Sequence, residues 1–490
     1  MNPESDLRFM NLRYTIGIMD FKAFGKITLM MLLLLPVLIF AQNDTIKYDA
    51  SVSGLVSSGN YAPFWMQSRN YGTISSAPQS ANLMLGVSKE LTAPKRLFDY
   101  GFKANALIRT DNTKKTEAYF HELYAQARFW VLDFIVGARE EQFGVQDSSL
   151  SCGGFIFSQN ARPMPKITAG IEHFVPVPMT NGYVEIKGGL SHGWFTDNTY
   201  YQNMYLHHKY VYLKLGGKLP VHLQYGIDHF AQWGGTALGG VQYASSLKDY
   251  FIIFFAGHGA NDANLSDQIN ALGNHLGSQN LRLDIDLADF KIGAYWEDFL
   301  EEGPVRLIGF TMNTPDGLWG LSIRNNKIPI IKGVLFEYFN STDQSGPFHD
   351  KDGIVYGGTD GFFQSQYTTG WNYYSRTIGT PLITSAFYNS NGVLQTLNNR
   401  VQAFHVGIEG DILKYQYKFL STFSKNYGTY GNVYPQMHEN TSLLLEINKR
   451  FPKLSNMEVG CTFGADFGKQ YGNSVGFQLS LRKRGDLFKY

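Results

Sequence analysis

Apolar and polar side chains alternate with a period of two along most of the chain. One such segment has Leu281, Leu283, Ile285 and Leu287 on one face and Arg282, Asp284 and Asp286 on the other. The same alternation recurs in residues 83–87, 100–108, 122–129, 221–228, 457–466 and 475–482. Successive side chains of a β-strand point to opposite faces, so the pattern predicts strands with one apolar and one polar face. We therefore expect an all-β fold.

The length and the repetition of these segments indicate a membrane barrel. A soluble β-sandwich also alternates, but here charged residues return on one face over about 400 residues, with no long helical pattern between them. The segments are about ten residues long, which is the length that crosses a bilayer at a tilt. The sequence predicts a transmembrane antiparallel β-barrel of about 16–18 strands, spanning residues 81–490.

An apolar run near the start of the chain has the form of a signal peptide. Residues 28–41 (TLMMLLLLPVLIFA) follow Lys22 and Lys26 and end at a small residue, Ala41. As a helix they span about 21 Å, short of the roughly 30 Å hydrocarbon core, which disfavours a membrane anchor. We expect residues 1–41 to be a signal peptide cleaved near Ala41, with Met19 as the alternative start, and the mature chain to lie in the outer membrane of a Gram-negative bacterium.

Three stretches lack regular alternation. Residues 42–80 are rich in Ser, Gly, Asn and Pro, and we expect them to form a short N-terminal cap or plug segment. Residues 257–280 and 340–400 are expected to be long loops on the outside of the cell. The chain ends on Tyr490 with Phe488 before it, the kind of aromatic end that the barrel assembly machinery reads, although a charged run at 482–486 interrupts the last strand.

The composition of the chain agrees with a membrane barrel and indicates which partners to expect. Aromatic residues make up 15% of the chain, and charged residues only 17%, below the roughly 25% of an average globular protein. Such a balance suits an outer surface that meets outer-membrane lipid. The net charge of +1 gives no reason to expect nucleic acid. The two cysteines, Cys152 and Cys461, form no zinc motif, and they are either free thiols or one disulfide.

Motifs that suggest catalysis or metal binding have simpler explanations, so we expect no cofactor, no metal and no enzyme. Ser191 and Ser474 each lie in a GxSxG string, but a hydrolase needs a strand-to-helix turn at that serine. His207 and His208 are neighbours in a predicted strand and point apart, so they do not readily share an ion. Asp284 shares a face with Arg282 and with the next carboxylate, which favours a charge ladder in the lumen over an acid–base pair.

A carbohydrate site is the candidate function for two other places in the sequence. The residues concerned are Arg162, Trp371, Tyr373, Tyr374 and Arg376. Arg162 is followed by two prolines in NARPMP, and its guanidinium can bind a carboxylate of an acidic sugar or of the protein itself through two parallel N–H···O bonds. The loop aromatics can stack on the apolar faces of sugars. The structural alternatives are a clamp inside the barrel for Arg162 and packing of the loop into the barrel mouth for the aromatics.

Several segments of the chain resemble the capsule assembly Wzi family of outer-membrane proteins. They are residues 62–65 (APFW), 160–167 (NARPMPKI), 188–195 (GGLSHGWF), 206–210 (LHHKY) and 367–381 (YTTGWNYYSRTIGTP). The resemblance covers roughly residues 45–490, and its specificity comes from the order and spacing of these motifs.

The resemblance implies a large antiparallel barrel, of 18 strands, that acts as a surface lectin for capsular polysaccharide. The better-known branch of the family carries an N-terminal helical bundle, for which residues 42–80 are too short and too broken by Gly and Pro. Two other functions remain open from the residues alone. One is an outer-membrane porin or transporter, which shares the barrel but needs an open lumen, and the other is an outer-membrane hydrolase.

Overall fold

The computed structural model of the chain describes most of the residues from Thr45 onward. The described residues are 45–91, 97–113, 115–197, 201–237, 240–259, 268, 271–301, 315–346, 350–351, 354–355, 358–365 and 370–489. Ile46–Leu487 forms one compact unit. The signal peptide expected at residues 1–41, with its cleavage site and the alternative start at Met19, lies outside the described residues.

Eighteen long strands make up the wall of the barrel in the described part of the chain. They are β1 (Thr45–Ser57), β2 (Gln79–Lys89), β3 (Phe98–Asp111), β4 (Thr116–Phe129), β5 (Leu132–Ala138), β6 (Pro165–Pro176), β7 (Val184–Trp194), β8 (Tyr205–Leu215), β9 (Val221–Trp233), β10 (Asn274–Asp286), β11 (Phe290–Glu297), β12 (Gly317–Asn325), β13 (Gly333–Asn340), β14 (Val401–Ile412), β15 (Tyr415–Gly428), β16 (Val433–Phe451), β17 (Met457–Gly468) and β18 (Ser474–Lys489).

Helices and very short strands occupy some of the connections. The α-helices are α1 (Phe64–Gln67) and α2 (Leu247–Phe254), and single 3-10 turns lie at Ala386–Tyr388 and Pro452–Leu454. The two-residue strands are Tyr201–Gln202, Thr236–Ala237, Leu300–Glu301, Asp350–Lys351, Ile354–Val355, Asn372–Tyr373 and Arg376–Thr377. Among the described residues, no helix is long and apolar enough to span a bilayer.

Each long strand pairs with its neighbours in sequence, and the first strand pairs with the last. The pairings are antiparallel from β1 to β18, and β1 also joins β18, so the sheet closes on itself. The structure therefore confirms the predicted all-β antiparallel barrel and its 16–18 strands. Closure leaves no open edge in the barrel, which is the condition for a β-structure to cross lipid.

The charged run near the chain's end belongs to the last strand. Arg482 donates to both carboxylate oxygens of Asp49 on β1, with Nε 3.0 Å from each, and Arg484 Nε lies 3.1 Å from the same carboxylate. These ion pairs join β18 to β1. The interruption of the apolar alternation at 482–486 therefore does not end the strand, because its arginines bind across the seam where the barrel closes.

The two faces of the wall separate as the alternation predicts. Apolar side chains point outward and are exposed, among them Leu213, Leu223, Leu281, Leu283, Leu321, Phe336, Phe404, Phe463 and Phe477. Inward positions carry charged and amide groups. Arg282 donates to Asp284 with Nε 3.1 and 3.0 Å from the two carboxylate oxygens, which is the charge ladder predicted for this strand.

The barrel begins earlier in the chain than predicted. Strand β1 lies inside residues 42–80, which were expected to be a cap, and the start of the barrel moves from residue 81 to Thr45. The outward positions of β1 include Ala50 and Gly54, whose small side chains weaken the apolar signal of an ordinary strand. The remainder of the segment, residues 58–78, does enter the barrel, and the four residues of α1 are buried there.

All of the long connections leave the barrel at one end. They are residues 58–78, 139–164, 234–273, 298–316 and 341–400. The opposite end has short links such as 130–131, 216–220, 287–289 and 413–414. Outer-membrane barrels have short periplasmic turns and long extracellular loops, so the end with the long connections is the extracellular one. The loop expected at 257–280 is shorter than predicted, because β10 begins at Asn274.

Candidate functional site

Three of the long connections fold inward and pack the extracellular half of the barrel. We call the described parts of residues 58–78, 139–164 and 341–400 the plug. Its buried aromatic side chains are Phe64, Trp65, Phe155, Phe362, Phe363, Trp371 and Tyr373. Phe155 stacks on Phe299 with ring centroids 4.9 Å apart and meets Phe339 of β13 edge-on at the same distance. The plug is therefore a hydrophobic core inside the barrel rather than a loose loop.

A carboxylate on the barrel wall binds the backbone of the plug. Glu297, the last residue of β11, is buried and accepts hydrogen bonds from three plug amides: Val145 N at 2.9 Å, Gln146 N at 3.1 Å and Phe155 N at 2.9 Å. The two oxygens of a carboxyl group can accept several hydrogen bonds at once. Glu297 thus satisfies buried N–H groups that an irregular loop leaves without partners.

Glu337 of β13 also binds the plug, at residues that lie in the sequence between those bound by Glu297. Its carboxylate accepts from Ser151 Oγ and Cys152 N, each at 2.6 Å, and from Tyr295 OH at 2.5 Å. On the far side, Asp466 of β17 accepts from Phe64 N at 2.7 Å. Wall carboxyl groups therefore anchor the plug to three strands, so its position is fixed by buried hydrogen bonds as well as by apolar packing.

Arg162 lies at the extracellular mouth between two tyrosine rings. Its guanidinium carbon is 4.1 Å from the ring centroid of Tyr119, on β4, and 3.5 Å from that of Tyr374. Arg162 is partly exposed, and among the described residues its guanidinium has no ion pair or hydrogen bond. A guanidinium stacked on a ring keeps its N–H groups in its own plane, parallel to the ring and directed past its edge, where a planar anion can accept them.

Tyr374 is held at the mouth by a tight hairpin. The strands Asn372–Tyr373 and Arg376–Thr377 are joined through Tyr374 and Ser375, whose φ angles are 51° and 62°. Positive φ at both central residues is the geometry of a primed hairpin turn. Tyr374 N donates to Asp197 Oδ2 at 3.0 Å, and Tyr374 OH donates to the carbonyl of Thr196 at 3.2 Å.

Asp197 and Thr196 complete the polar surroundings of this tyrosine. Burial raises the pKa of the Asp197 carboxyl, while the amide of Tyr374 and the charge of Arg162 act in the opposite direction. Thr196 is exposed, and its Oγ1 lies 2.6 Å from the hydroxyl of Tyr373. Arg162, Tyr374, Thr196 and Asp197 therefore place a cation, an aromatic face, a hydroxyl and a carboxylate side by side.

The other three predicted site residues lie beneath this surface. Trp371 is fully buried and donates through Nε1 to the carbonyl of Ile156 at 2.6 Å, and Tyr373 is 1% exposed. Arg376 donates to Gln67 Oε1 at 2.7 Å and to the carbonyl of Ile74 at 2.8 Å, and burial lowers its pKa to about 10. Trp371, Tyr373 and Arg376 therefore hold the plug together under the mouth.

Glycine at position 72 brings the arginines together. Gly72 has a φ of 65°, and a Cβ there would lie 3.4 Å from Arg162 N and 3.6 Å from Arg376 Cδ. Its carbonyl accepts from Arg109 at 2.7 Å, and Arg109 is also paired with Glu117. Gly72 therefore packs against the backbone of Arg162 and the side chain of Arg376, and it accepts from Arg109, whose charge is balanced by Glu117.

The sequence motifs predict only part of this arrangement. Arg162 and Tyr374 lie in motifs that mark them as candidates. Tyr119, Thr196 and Asp197 have no motif of their own. Asp197 follows the glycine-rich and aromatic segment 188–195, and this position is the one signal that the sequence offered.

The residues weighed for catalysis or metal binding occupy structural positions. Ser191 lies within β7, and its hydroxyl is 2.9 Å from Thr168 Oγ1, away from any strand-to-helix turn. His207 and His208 do point apart. The ring of His208 stacks inside the barrel on Phe230, 3.8 Å between centroids, whereas His207 faces α2 on the outside. Among the described residues no group of three or more His, Cys, Asp or Glu is arranged to hold a metal ion.

Both cysteines are free thiols. Cys152 is buried in the plug, and Cys461 is half-buried on β17. Of the two alternatives that the sequence left open, the structure has the unpaired one.

No protein-family model and no curated protein sequence matches the chain, whereas solved structures do. OpdL and OprD of Pseudomonas aeruginosa have TM-scores of 0.48 and 0.47, each at 8% identity over 91% of this chain and 99% and 96% of theirs. Wzi of Escherichia coli, a carbohydrate-binding β-barrel involved in group 1 capsule assembly, has a TM-score of 0.55 at 12% identity. That match covers 88% of this chain and 83% of Wzi, and at this identity it shows that the chain has the fold of an outer-membrane β-barrel like Wzi.

Proposed function

We propose that this outer-membrane barrel is a lectin-like protein that attaches or organises capsular polysaccharide at the cell surface. The observation that carries the proposal is the guanidinium of Arg162, which is stacked between Tyr119 and Tyr374 and unpaired among the described residues. A guanidinium at the mouth of the barrel whose N–H groups have no hydrogen-bond partner among the described residues suits an acidic sugar residue.

The chemistry of the mouth fits a uronate or another carboxylated sugar. The guanidinium of Arg162 forks onto the carboxylate through two parallel N–H···O bonds. Arg162 covers one face of the Tyr374 ring, and the part that stays exposed, 36% of the residue, is available to the apolar C–H groups of the sugar. Thr196 supplies a hydroxyl for the sugar's own hydroxyl groups.

The plug favours this function over that of a porin or transporter. An open pore needs a continuous aqueous lumen, whereas the described plug residues fill the extracellular half of the barrel with buried aromatic side chains. A cavity of about 160 Å³ lies against the plug, next to the ion pair of Lys418 with Glu446. At roughly 30 Å³ for each water, it has room for about five water molecules.

The route to the outer membrane is part of the proposal. Residues 1–41 direct secretion and are cleaved near Ala41, and the barrel assembly machinery inserts the mature chain. The structural likeness to Wzi agrees with the resemblance of the sequence motifs, and it supports a binding protein rather than an enzyme.

Calorimetric titration of the purified protein with the host's capsular polysaccharide tests the site. We expect Arg162→Gln to weaken binding of an acidic polysaccharide at least tenfold, because it removes the guanidinium that donates two hydrogen bonds to the carboxylate. Arg400→Gln is the matched control, since Arg400 also stacks on a tyrosine at this end, 4.1 Å from the ring of Tyr430.

Chemical reduction of the carboxyl groups of the polysaccharide gives a second control. The wild type should bind the reduced polymer as weakly as Arg162→Gln binds the native one, and the variant should lose nothing further. Equal affinity of wild type and Arg162→Gln for the native polysaccharide would overturn the proposal.

A further inference from the structure

A short amphipathic helix lies on the outside of the barrel at its extracellular end. Helix α2 begins with a capping box, in which Ser246 Oγ accepts from Asp249 N at 3.3 Å and Ser246 N donates to Asp249 Oδ2 at 2.8 Å. This box satisfies two backbone donors that the first turn would leave free. The helix is therefore a defined element of the connection between β9 and β10.

The inner face of α2 covers polar residues that point outward from the wall. The ring centroid of His207, on β8, is 5.5 Å from those of Tyr250 and Phe254, and His192, on β7, lies 5.9 Å from Tyr250. Lys209 donates to the carbonyl of Phe254.

Two more outward-facing histidines lie in the same region. His229 of β9 and His275 of β10 form a hydrogen bond of 2.9 Å, and His229 lies 5.8 Å from His207. At this level the wall therefore carries histidines and a lysine where its lower part carries leucine and valine.

The outer face of α2 is apolar and exposed. Leu247 is 75% exposed, Phe251 56% and Phe255, at the C-terminal end, 75%. Residues four apart lie on one face of a helix, so these three side chains form a single stripe. Lys248 lies at the edge of the stripe and is exposed. A cation at the border of an apolar stripe is typical of helices that lie in a membrane surface.

The stripe continues the lipid-facing surface of the same strands. On β8, Val211, Leu213 and Leu215 are exposed below the helix, as are Leu223 on β9 and Leu281 on β10. From His207 to Val211 is four residues, or about 13 Å along the strand and about 10 Å along the barrel axis at the usual tilt. Helix α2 therefore borders the apolar belt.

We propose that α2 is an interfacial helix whose stripe of Leu247, Phe251 and Phe255 inserts into the acyl chains of the outer leaflet. Polar groups facing hydrocarbon are costly, and α2 replaces the histidines and Lys209 with apolar side chains at the lipid boundary. The proposal concerns contact with lipid, and it is independent of the polysaccharide site.

Nitroxide labelling tests this contact in vesicles of phosphatidylcholine and phosphatidylglycerol. The label is attached to Phe251→Cys in a Cys461→Ala background, with Cys152 left in place because it is buried. Molecular oxygen concentrates among acyl chains, and a water-soluble nickel complex does not. Leu213→Cys on the wall and Met179→Cys in an exposed turn, where the side chain is 99% exposed, give the lipid and water references.

The expected result is that the ratio of oxygen to nickel accessibility at position 251 is several-fold higher than at 179 and close to that at 213. A ratio equal to that at 179 would overturn the proposal. Spectral broadening at 251 that disappears when labelled protein is diluted with unlabelled protein would also overturn it, because the stripe would then contact a second copy. If the Phe251 variant does not fold, Phe255→Cys serves for the same measurement.

Discussion

Trp371 and Tyr374 lie three residues apart in the sequence but in different environments. Trp371 is buried in the plug, where its indole N–H binds the carbonyl of Ile156, whereas Tyr374 reaches the surface beside Arg162. At the scale of single residues, the aromatic motif therefore contains both a packing residue and a candidate contact to sugar. Substitutions at Trp371 should therefore affect mainly stability, and substitutions at Tyr374 mainly polysaccharide binding.

We expect Trp371→Ala to destabilise the protein and to reduce polysaccharide binding indirectly. Removing a buried tryptophan costs about 3–5 kcal/mol, and here it also removes the bond between two parts of the plug. Trp371→Phe keeps most of the packing and should retain binding. Thermal unfolding followed together with polysaccharide affinity separates the two effects. Loss of affinity in Trp371→Phe without any loss of stability would mean that the indole itself contacts the sugar.

Asp197 should make the binding of an acidic polysaccharide depend on pH. Burial raises the pKa of its carboxyl above the usual value near 4, so the group becomes neutral as the pH falls through that raised value. Loss of a negative charge beside Arg162 strengthens attraction for a sugar carboxylate, which stays ionised until lower pH. Because the folded state binds this proton more tightly than the unfolded state, the contribution of Asp197 to the free energy of unfolding is larger at low pH and falls as the pH rises.

The measurement is polysaccharide affinity between pH 7.5 and pH 4.5. Affinity should increase several-fold as the pH falls in the wild type, and Asp197→Asn should bind with little dependence on pH. A wild-type affinity that is flat over this range, or a variant that keeps the full dependence, would exclude Asp197 as the responsible group.

At the scale of elements, the wall carboxylates hold the plug in place and so keep the lumen of the barrel blocked. Glu297 and Glu337 together accept from four plug amides and two hydroxyl groups. In Glu297→Gln with Glu337→Gln, the amide nitrogen at position 297 faces a backbone N–H in either orientation of the side chain, so at least one bond is lost there, and at position 337 the two hydroxyl groups must reorient to accept. We expect the double variant to loosen the plug and to show stable ion conductance in planar bilayers, where the wild type shows little.

Glu446→Gln is the matched control for this experiment. Glu446 is a wall carboxylate of β16 that pairs with Lys418 at 2.9 Å and with Asn448 at 2.6 Å. Its loss changes the charge of the lumen without releasing the amides that the other two carboxylates hold. Conductance that is as low in the double variant as in wild type would show that apolar packing alone keeps the barrel closed.

The strands were far more predictable than the elements between them. Period-two alternation identified the wall from residue 81 onward, because each strand has one face in lipid and one in the lumen. It missed β1, whose outward positions include Ala50 and Gly54. The plug and α2 have no comparable signal, since their order depends on distant partners such as Glu297 for Val145 and His207 for Tyr250.

At the scale of the whole molecule, the closed sheet and the grouping of the long connections at one end determine where a ligand from outside the cell can bind. The seam between β1 and β18 leaves no free edge, and the long connections all meet at the extracellular end. Arg162 and Tyr374 are about 210 residues apart in the sequence, so their contact could not be read from local spacing. Sequence motifs pointed to both residues separately, and the fold of the plug joins them.

Deletion of the gene in the native host tests the proposed function at this scale. A barrel that holds polysaccharide at the surface takes no part in making it, so we expect the total capsule to stay near its wild-type level. The cell-bound fraction should fall and the fraction in the medium should rise by a similar amount. An assay of uronic acid in washed cells and in the supernatant measures both fractions. Capsule that stays on the deletion strain would contradict the function.

Complementation links this phenotype to the mouth of the barrel. Arg162→Gln should insert normally and restore little retention, because the barrel remains but the cation that binds the sugar carboxylate is gone. Arg400→Gln should restore retention fully. If both variants restore it equally, polysaccharide is held elsewhere on the extracellular surface, and the role of the barrel survives while the site at Arg162 does not. The two variants thus separate the function of the molecule from the residues assigned to it.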